Sequence, residues 1–202
     1  NQIFPLHKHY VYREDTGESL SADRVKYFET FNILQDSVAE SDPSQYVYDA
    51  IWSNDSYAAN NGERMNFYVQ LIHTSDELSY LSSGWDLYTL LYLQERLFKA
   101  AIKNETDWDA QKSALGFGSY VDAPSGIDGN DFMLVAVSFI TQKDQRDFFE
   151  MWGIEFSAEA SAQVAGFGFD AAPKIYFAND DTNTEPHPTP VAIDGLSAYP
   201  LP

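Results

Sequence analysis

Residues 83–102, SGWDLYTLLYLQERLFKAAI, limit what this chain can fold into more than any other stretch. Ser83 and Asp86 stand three apart, the spacing at which a hydroxyl and a carboxylate satisfy the free N–H groups of a helix start. A helix is therefore expected to begin here. Trp85, Leu87, Tyr88, Leu90, Leu91, Tyr92 and Leu93 leave almost no polar face in its first turns, and a helix apolar all round belongs inside a domain. Gln94, Glu95, Arg96 and Lys99 then alternate with Leu97, Phe98, Ala101 and Ile102, an amphipathic stripe leading out to solvent. Such a helix needs neighbours to cover it.

The rest of the chain supplies them. Ile3, Leu6, Tyr10 and Val11 recur at helical spacing in residues 1–13, with Pro5 in the first turn or at a kink. Ser21 is expected to cap a second helix that ends near Ser37 and groups Val25, Phe28, Ile33 and Leu34 on one broad side. Asp42, Pro43 and Gln45 spell another start, with Asp42 as the cap and Gln45 reaching back, so that Val47, Ala50 and Ile51 face inward. SNDSYAANNG is turn chemistry. The helix after it runs from Glu63 to about Leu78, carries Met65, Phe67, Tyr68, Leu71 and Ile72, and pairs with the 83–102 helix as an antiparallel hairpin. Thr106 and Asp109 frame a capping box for a short helix, which the Gly-, Pro- and Asp-rich GFGSYVDAPSGIDG cannot continue. Phe132, Met133, Val135, Ala136, Phe139 and Ile140 mark a second strongly buried helix. Asp144 caps a short helix ending at Gly153, and Ser157 starts one more. From Pro173 onward KIYFA and PVAIDG are β-rich runs separated by a polar stretch, and the prolines confine them to edge strands. The expected fold class is mainly α: roughly seven to nine helices with a small C-terminal β hairpin or extended tail. We divide it into a helical part, residues 1–170, and a short β or extended appendage, residues 171–202, packed on it.

A chain of 202 residues can bury a sizeable core without staples. With 12 basic against 31 acidic residues the net charge is -19, so nucleic acid and anionic membrane surfaces are repelled. The absence of cysteine removes disulfides, thiolate catalysis and cysteine-ligated zinc together. Neither a signal peptide nor a run of about 18 apolar residues is visible, so the sequence shows no membrane span and no export address. The abrupt start NQIFPLHKHY reads as a domain cut from a larger protein.

The histidines are His7, His9, His73 and His187, and no H-E-x-x-H places two of them on one metal. His7 and His9, two apart, point away from each other on a helix. His73 ends a mainly apolar helix, where an interfacial and a catalytic histidine are competing readings, and His187 lies between prolines. Asp128, Asn130 and Asp131, and residues 179–185, offer hard oxygens without the spacing of an EF-hand. Solvated turns and helix caps account for both groups, with a bound cation the competing reading. Acidic residues are too widespread for a glycosidase pair to be singled out. No G-x-S-x-G, phosphate loop or dinucleotide fingerprint occurs.

Three stretches, in order, resemble the enhancin-like zinc metallopeptidases, a gluzincin family of secreted mucin- and glycoprotein-degrading proteases. Asn1-Gln2-Ile3-Phe4 is similar to the latter part of E-V-x-N-x-I, the signature that follows H-E-x-x-H and whose glutamate is the third zinc ligand. ERMNFYVQLIH at 63–73, followed by GWDLYTLLYLQ at 84–94, is similar to the paired helices that lead into G-W-D-x-Y. Residues 132–140, followed by DQRDFFEMWGIEFSAEA at 144–160, resemble the helix, phenylalanine-rich turn and W-G-x-x-x-S of that family. Both histidine ligands and the general-base glutamate of the family are missing from this sequence, so no metal ligand or catalytic base is carried onto a numbered residue.

The resemblance implies the C-terminal helical lobe of a zinc metallopeptidase, bacterial and secreted or at the cell surface, that acts on glycoproteins such as mucins. This lobe would form one wall of the substrate cleft and be inactive alone, with no cofactor of its own and zinc held elsewhere in the full-length protein. His73 and Tyr88 are its candidate substrate-binding residues. The expected partner is a glycoprotein or peptide substrate, met through the full-length enzyme, with no nucleic acid and no membrane span. The alternative is a non-catalytic carbohydrate- or protein-binding module of a secreted multidomain protein, its Tyr and Trp side chains stacking on sugars or a partner. A stand-alone hydrolase with dispersed carboxylates is a third reading.

Overall fold

The computed structural model describes residues 7–8, 11–12, 15–17, 25–54, 59–121, 127–179 and 189–201. The expectations for most of residues 1–13, for Ser21, for the middle of the Gly-rich loop, for residues 180–185 and for His9 and His187 lie outside them. In chain order come α1 (Tyr27–Ser37), α2 (Pro43–Val47), a π turn (Tyr48–Trp52), α3 (Asn61–Glu77) and α4 (Asp86–Ala101). There follow α5 (Glu105–Gln111), α6 (Gly129–Thr141), α7 (Arg146–Met151), α8 (Ala158–Phe167), β1 (Ile175–Ala178) and β2 (Thr189–Ala192). The protein is mainly α-helical with a small antiparallel hairpin near its C-terminus, as its periodicity predicts.

Local signals explain half of the helix starts among the described residues. Asp42, Asn104, Asp128 and Ser157 each accept a backbone N–H from the first turn of α2, α5, α6 and α8, which satisfies a donor that the helix itself cannot. Gln45 does not reach back to Asp42; its amide donates forward to Asp49 at 2.9 Å. The cap of α5 is Asn104, two residues before the expected Thr106, because Asn104 also donates to Asp107 and so closes the turn from both sides. Ser83 does not cap α4 through its hydroxyl either. The Asp86 N–H takes the Ser83 carbonyl instead, and the chain enters the helix through a backbone turn over Gly84. A Cβ on Gly84 would stand 2.1 Å from the Ile72 carbonyl oxygen, so only glycine lets the α3–α4 connection pass this close.

α6 fills the centre, with every residue from Leu134 to Ser138 buried, and α4 and α8 pack along it. Phe98, Trp108, Phe117 and Phe132 form one aromatic cluster there. A second cluster surrounds Phe67, against Trp52, Tyr68, Phe148, Phe149 and Trp152. The sequence predicts the first turns of α4 apolar and buried on nearly every side, with an amphipathic second half, and the structure corrects the first part. Leu87, Leu91, Gln94, Phe98 and Ala101 face the core, whereas Leu90 is 39% exposed, Leu93 51%, Leu97 54% and Tyr92 58%. α5 and α6 cover one side of α4 only, so Leu90, Leu93 and Leu97 form an open apolar ridge on the other. In α1, likewise, Phe28 is exposed while Tyr27, Phe31 and Leu34 are buried.

The hairpin is fastened by side-chain amides. Gln70 donates to the Phe177 carbonyl at 2.8 Å and accepts its N–H at 2.7 Å. Phe177 stands opposite Pro190 in the ladder, a pairing that needs no N–H from proline because the backbone groups of Phe177 are turned to Gln70. Gln35 of α1 donates to the carbonyls of Ala192 and Ser197 and accepts the N–H groups of Asp194 and Gly195. Tyr176 donates to the Tyr27 carbonyl and accepts from Asn66, both inside the core. Among the described residues no helix is long and apolar enough to cross a membrane.

Candidate functional site

Where α2 ends, the chain widens into the π turn, and the Ser53 N–H reaches the Tyr48 carbonyl five residues back. Such turns recur at functional sites because the extra residue re-aims neighbouring side chains. Here Tyr48 and Trp52 both line a cleft of about 250 Å³. Its floor is apolar, made by Phe67, Met133, Phe149 and Ile154, and its mouth carries Asn130 and Glu155, both exposed. Tyr68 completes the wall.

The cleft is held rigidly. The Trp52 indole N–H donates to the Trp152 carbonyl at 2.7 Å. Arg64 of α3 donates to the Ile51 carbonyl at 2.8 Å and lies 6.0 Å from the centre of the Trp52 ring. Asn60, in the left-handed conformation, donates to the Ala50 carbonyl at 2.8 Å. These bonds satisfy carbonyls that a helix end leaves open. Gly153, at φ +67°, closes the far side, and a Cβ there would stand 2.4 Å from the Tyr48 nitrogen. At the mouth, the Asn130 amide donates to the Glu155 carbonyl at 3.1 Å.

The Tyr68 hydroxyl makes no hydrogen bond among the described residues, and burial pushes its pKa up. It is a neutral group that can donate one hydrogen bond.

Of the two residues singled out in the sequence, Tyr88 stands behind this wall, its hydroxyl donating to the Tyr68 carbonyl at 2.9 Å. Burial, reinforced by Tyr68, raises its pKa well above the usual phenol value, so it positions rather than exchanges protons. His73 looks elsewhere, its ring 6.0 Å from that of Phe177 in the hairpin. Burial lowers its pKa to about 4, with Asp76 opposing the shift. The structure does not join His73 and Tyr88 in one constellation.

The consequence for stability has a definite sign. An unfolded histidine takes up its proton near pH 6.5, whereas folded His73 does so only near pH 4. Stability present above pH 6.5 is therefore lost as the pH falls toward 4. Between pH 7 and pH 4.5 the half-buried ring is expected to contribute a loss of roughly 2 kcal/mol. Thermal melts of His73→Gln should show that much less acid destabilisation than the parent chain; equal slopes would place the acid sensitivity in other groups.

Of the expected cation ligands, Asp128 caps α6 and Asp131 accepts the Ser157 N–H at 2.7 Å, so both are engaged in holding helix ends. Among the described residues no three His, Asp or Glu side chains converge in a way that could hold a metal ion. The donor set for a catalytic zinc is therefore not present in them.

Sequence reasoning passed over the cleft because its walls come from four separate segments with no shared spacing. The one local signal was the aromatic density around the π turn.

No family model matches the chain. The whole chain is 42% identical, over 212 aligned residues, to the immunomodulating metalloprotease of Pseudomonas aeruginosa, and spans 22% of that protein's length. Two solved structures match it at a TM-score of 0.87 and 40% identity: the IMPa metallopeptidase in complex with T-antigen, and IMPa from Pseudomonas aeruginosa in complex with an O-glycopeptide. Each is matched over all of this chain and 23% of its own. The chain is thus related along its entire length to one segment of a metallopeptidase, in agreement with the enhancin-like resemblance carried by its motifs.

Proposed function

We propose that this chain is the helical lobe of a secreted zinc metallopeptidase that acts on glycoproteins such as mucins, with zinc bound by residues outside it. The observation that carries the reading is the full-length match, in sequence and in fold, to a segment of a metallopeptidase known in complex with a glycan and an O-glycopeptide. The open ridge of Leu90, Leu93 and Leu97 supports it, since apolar side chains in a row suit burial against further protein. In this reading the lobe walls the substrate cleft. Of the two candidate substrate-binding residues, Tyr88 serves it from behind by holding the Tyr68 backbone and His73 lies apart as a neutral imidazole beside Phe177, and neither transfers a proton at pH 7.

The test compares this chain with the product of the intact gene on an O-glycosylated peptide. The intact product should cleave it, lose activity to a zinc chelator and recover on adding zinc. The 202-residue chain alone should neither cleave it nor bind zinc stoichiometrically in equilibrium dialysis. Tight zinc binding by the isolated chain would overturn the proposal. So would an intact product that binds glycopeptide without cleaving it, which is the outcome the non-catalytic binding module requires.

A further inference from the structure

We infer that the open ridge of α4 is the seat of an amphipathic helix with an acidic flank, supplied by the same polypeptide from outside these 202 residues. The source of that helix rests on the lobe reading above; the chemistry of the ridge does not. Behind the exposed Asp86, the exposed residues Leu90, Leu93, Leu97 and Ala100 follow one another at spacings of three, four and three. That is the seam along which one helix packs on another at a shallow angle, each side chain entering a gap between those of the partner. A strand, with its period of two, presents no matching row.

Charge narrows the partner. Arg96, Lys99 and Lys103 run beside the ridge on the side away from the core, three of the 12 basic residues in a chain of net charge -19. Glu95 answers Lys99 at 2.6 Å. Arg96 lies over the Tyr92 ring, 5.7 Å from its centre, which holds its charge next to the leucines. The complementary helix therefore carries Asp or Glu beside its apolar seam. A second copy of this chain fits poorly: two antiparallel α4 helices joined along the seam would bring Arg96 against its own counterpart, and each copy carries a charge of -19.

Size argues that the partner is covalently joined. Three leucines and an alanine on about 15 Å of helix offer apolar surface on the order of a few hundred Å². That is short of the roughly 800 Å² per partner that holds two free proteins together. A contact of this extent persists when a linker raises the effective concentration of the partner to about the millimolar range. The related metalloprotease has polypeptide to supply it, since this chain spans 22% of that protein's length.

The experiment uses the intact gene product with Leu93→Cys or Leu97→Cys introduced singly, and no cysteine of this chain competes with the new thiol. Reaction with N-ethylmaleimide, read by peptide mass spectrometry, should run at least about tenfold slower in the folded product than in the same product unfolded in urea. Adding Arg96→Glu to Leu93→Cys should raise the folded rate by roughly fivefold, because the acidic flank is then repelled. Carbodiimide coupling of the unaltered product joins an amine to a carboxylate in contact with it and so identifies the neighbour. Lys99 or Lys103 should be linked to an Asp or Glu outside residues 1–202 of the same molecule, and mixing isotopically light and heavy product separates links within a molecule from links between two. The assignment fails if either thiol reacts within about threefold of its unfolded rate or if Arg96→Glu leaves the protection unchanged. It fails equally if neither lysine is linked outside residues 1–202, or if the link runs to a second copy. A reactive ridge in an intact product that cleaves glycopeptide would remove this joint and leave the lobe reading standing. A protected, linked ridge in an intact product with no zinc-dependent cleavage would do the reverse.

Discussion

Phe67→Ala is expected to destabilise the protein by about 3–5 kcal/mol, the range for truncating a fully buried phenylalanine. Phe67 is 1% exposed and its ring centre lies 5.1–6.1 Å from those of Trp52, Tyr68, Phe148, Phe149 and Trp152. Five large rings with their own fixed contacts cannot collapse onto the space that one leaves. The cost therefore includes an unfilled cavity as well as the lost transfer free energy. At about 2–4 °C per kcal/mol for a chain of this size, the melting temperature should drop by roughly 10 °C or more. Leu93→Ala on the open side of α4 is the matching control, expected within about 0.5 kcal/mol of the parent. Urea titrations of both variants check the contrast, and a loss below about 1 kcal/mol for Phe67→Ala would show that the cluster repacks.

The second large effect is expected at Gln35→Leu. The side-chain amide of Gln35 donates to Ala192 and Ser197 at 2.9 and 3.0 Å and accepts from Asp194 and Gly195 at 3.1 and 2.6 Å. Leucine fills a similar volume but can make none of these bonds. Two N–H groups and two carbonyls beside a residue only 8% exposed then lose their partner. At about 1 kcal/mol each, the lower end for such groups, the loss is roughly 4 kcal/mol. Hydrogen exchange gives the sharper readout. The Asp194 and Gly195 amides should lose protection by orders of magnitude, while amides in the middle of α6 should follow only the change in global stability. If the Asp194 and Gly195 amides keep their protection, water replaces the glutamine and the fastening role is wrong.

What could be read from the sequence, and what could not, follows from the range of the interactions involved. Asp42, Asp128 and Ser157 were legible because a cap lies within three residues of the group it satisfies. The hairpin was legible from two β-rich runs bounded by prolines. Ser83 misled because its spacing to Asp86 fits a capping box, while the passage of Gly84 against Ile72 fixes a different entry into α4. The ridge of α4 was misread for another reason: apolarity around a helix tells how much surface could be buried, not which neighbours arrive to bury it. Gln35 and Gln70 gave no sign at all. Their partners in and beside the hairpin lie 107–162 residues away, and a glutamine on a helix reads as a solvent-facing residue. The cleft shares that fate, since the π turn takes its shape from Arg64, Asn60 and Trp152, which no local rule connects to it.

The amide fastenings of the hairpin also set an order of events during synthesis. α1 and α3 leave the ribosome early, yet the core around Tyr27, Asn66 and Gln70 stays open on one side until Tyr176 and Phe177 arrive, and Gln35 waits longer still, for residues 192–197. Closing loops of this length costs entropy before any contact forms. Nascent chains arrested anywhere before residue 176 should therefore remain protease-sensitive in α1 and α3, and the bundle closes only once residues 176–197 have been made.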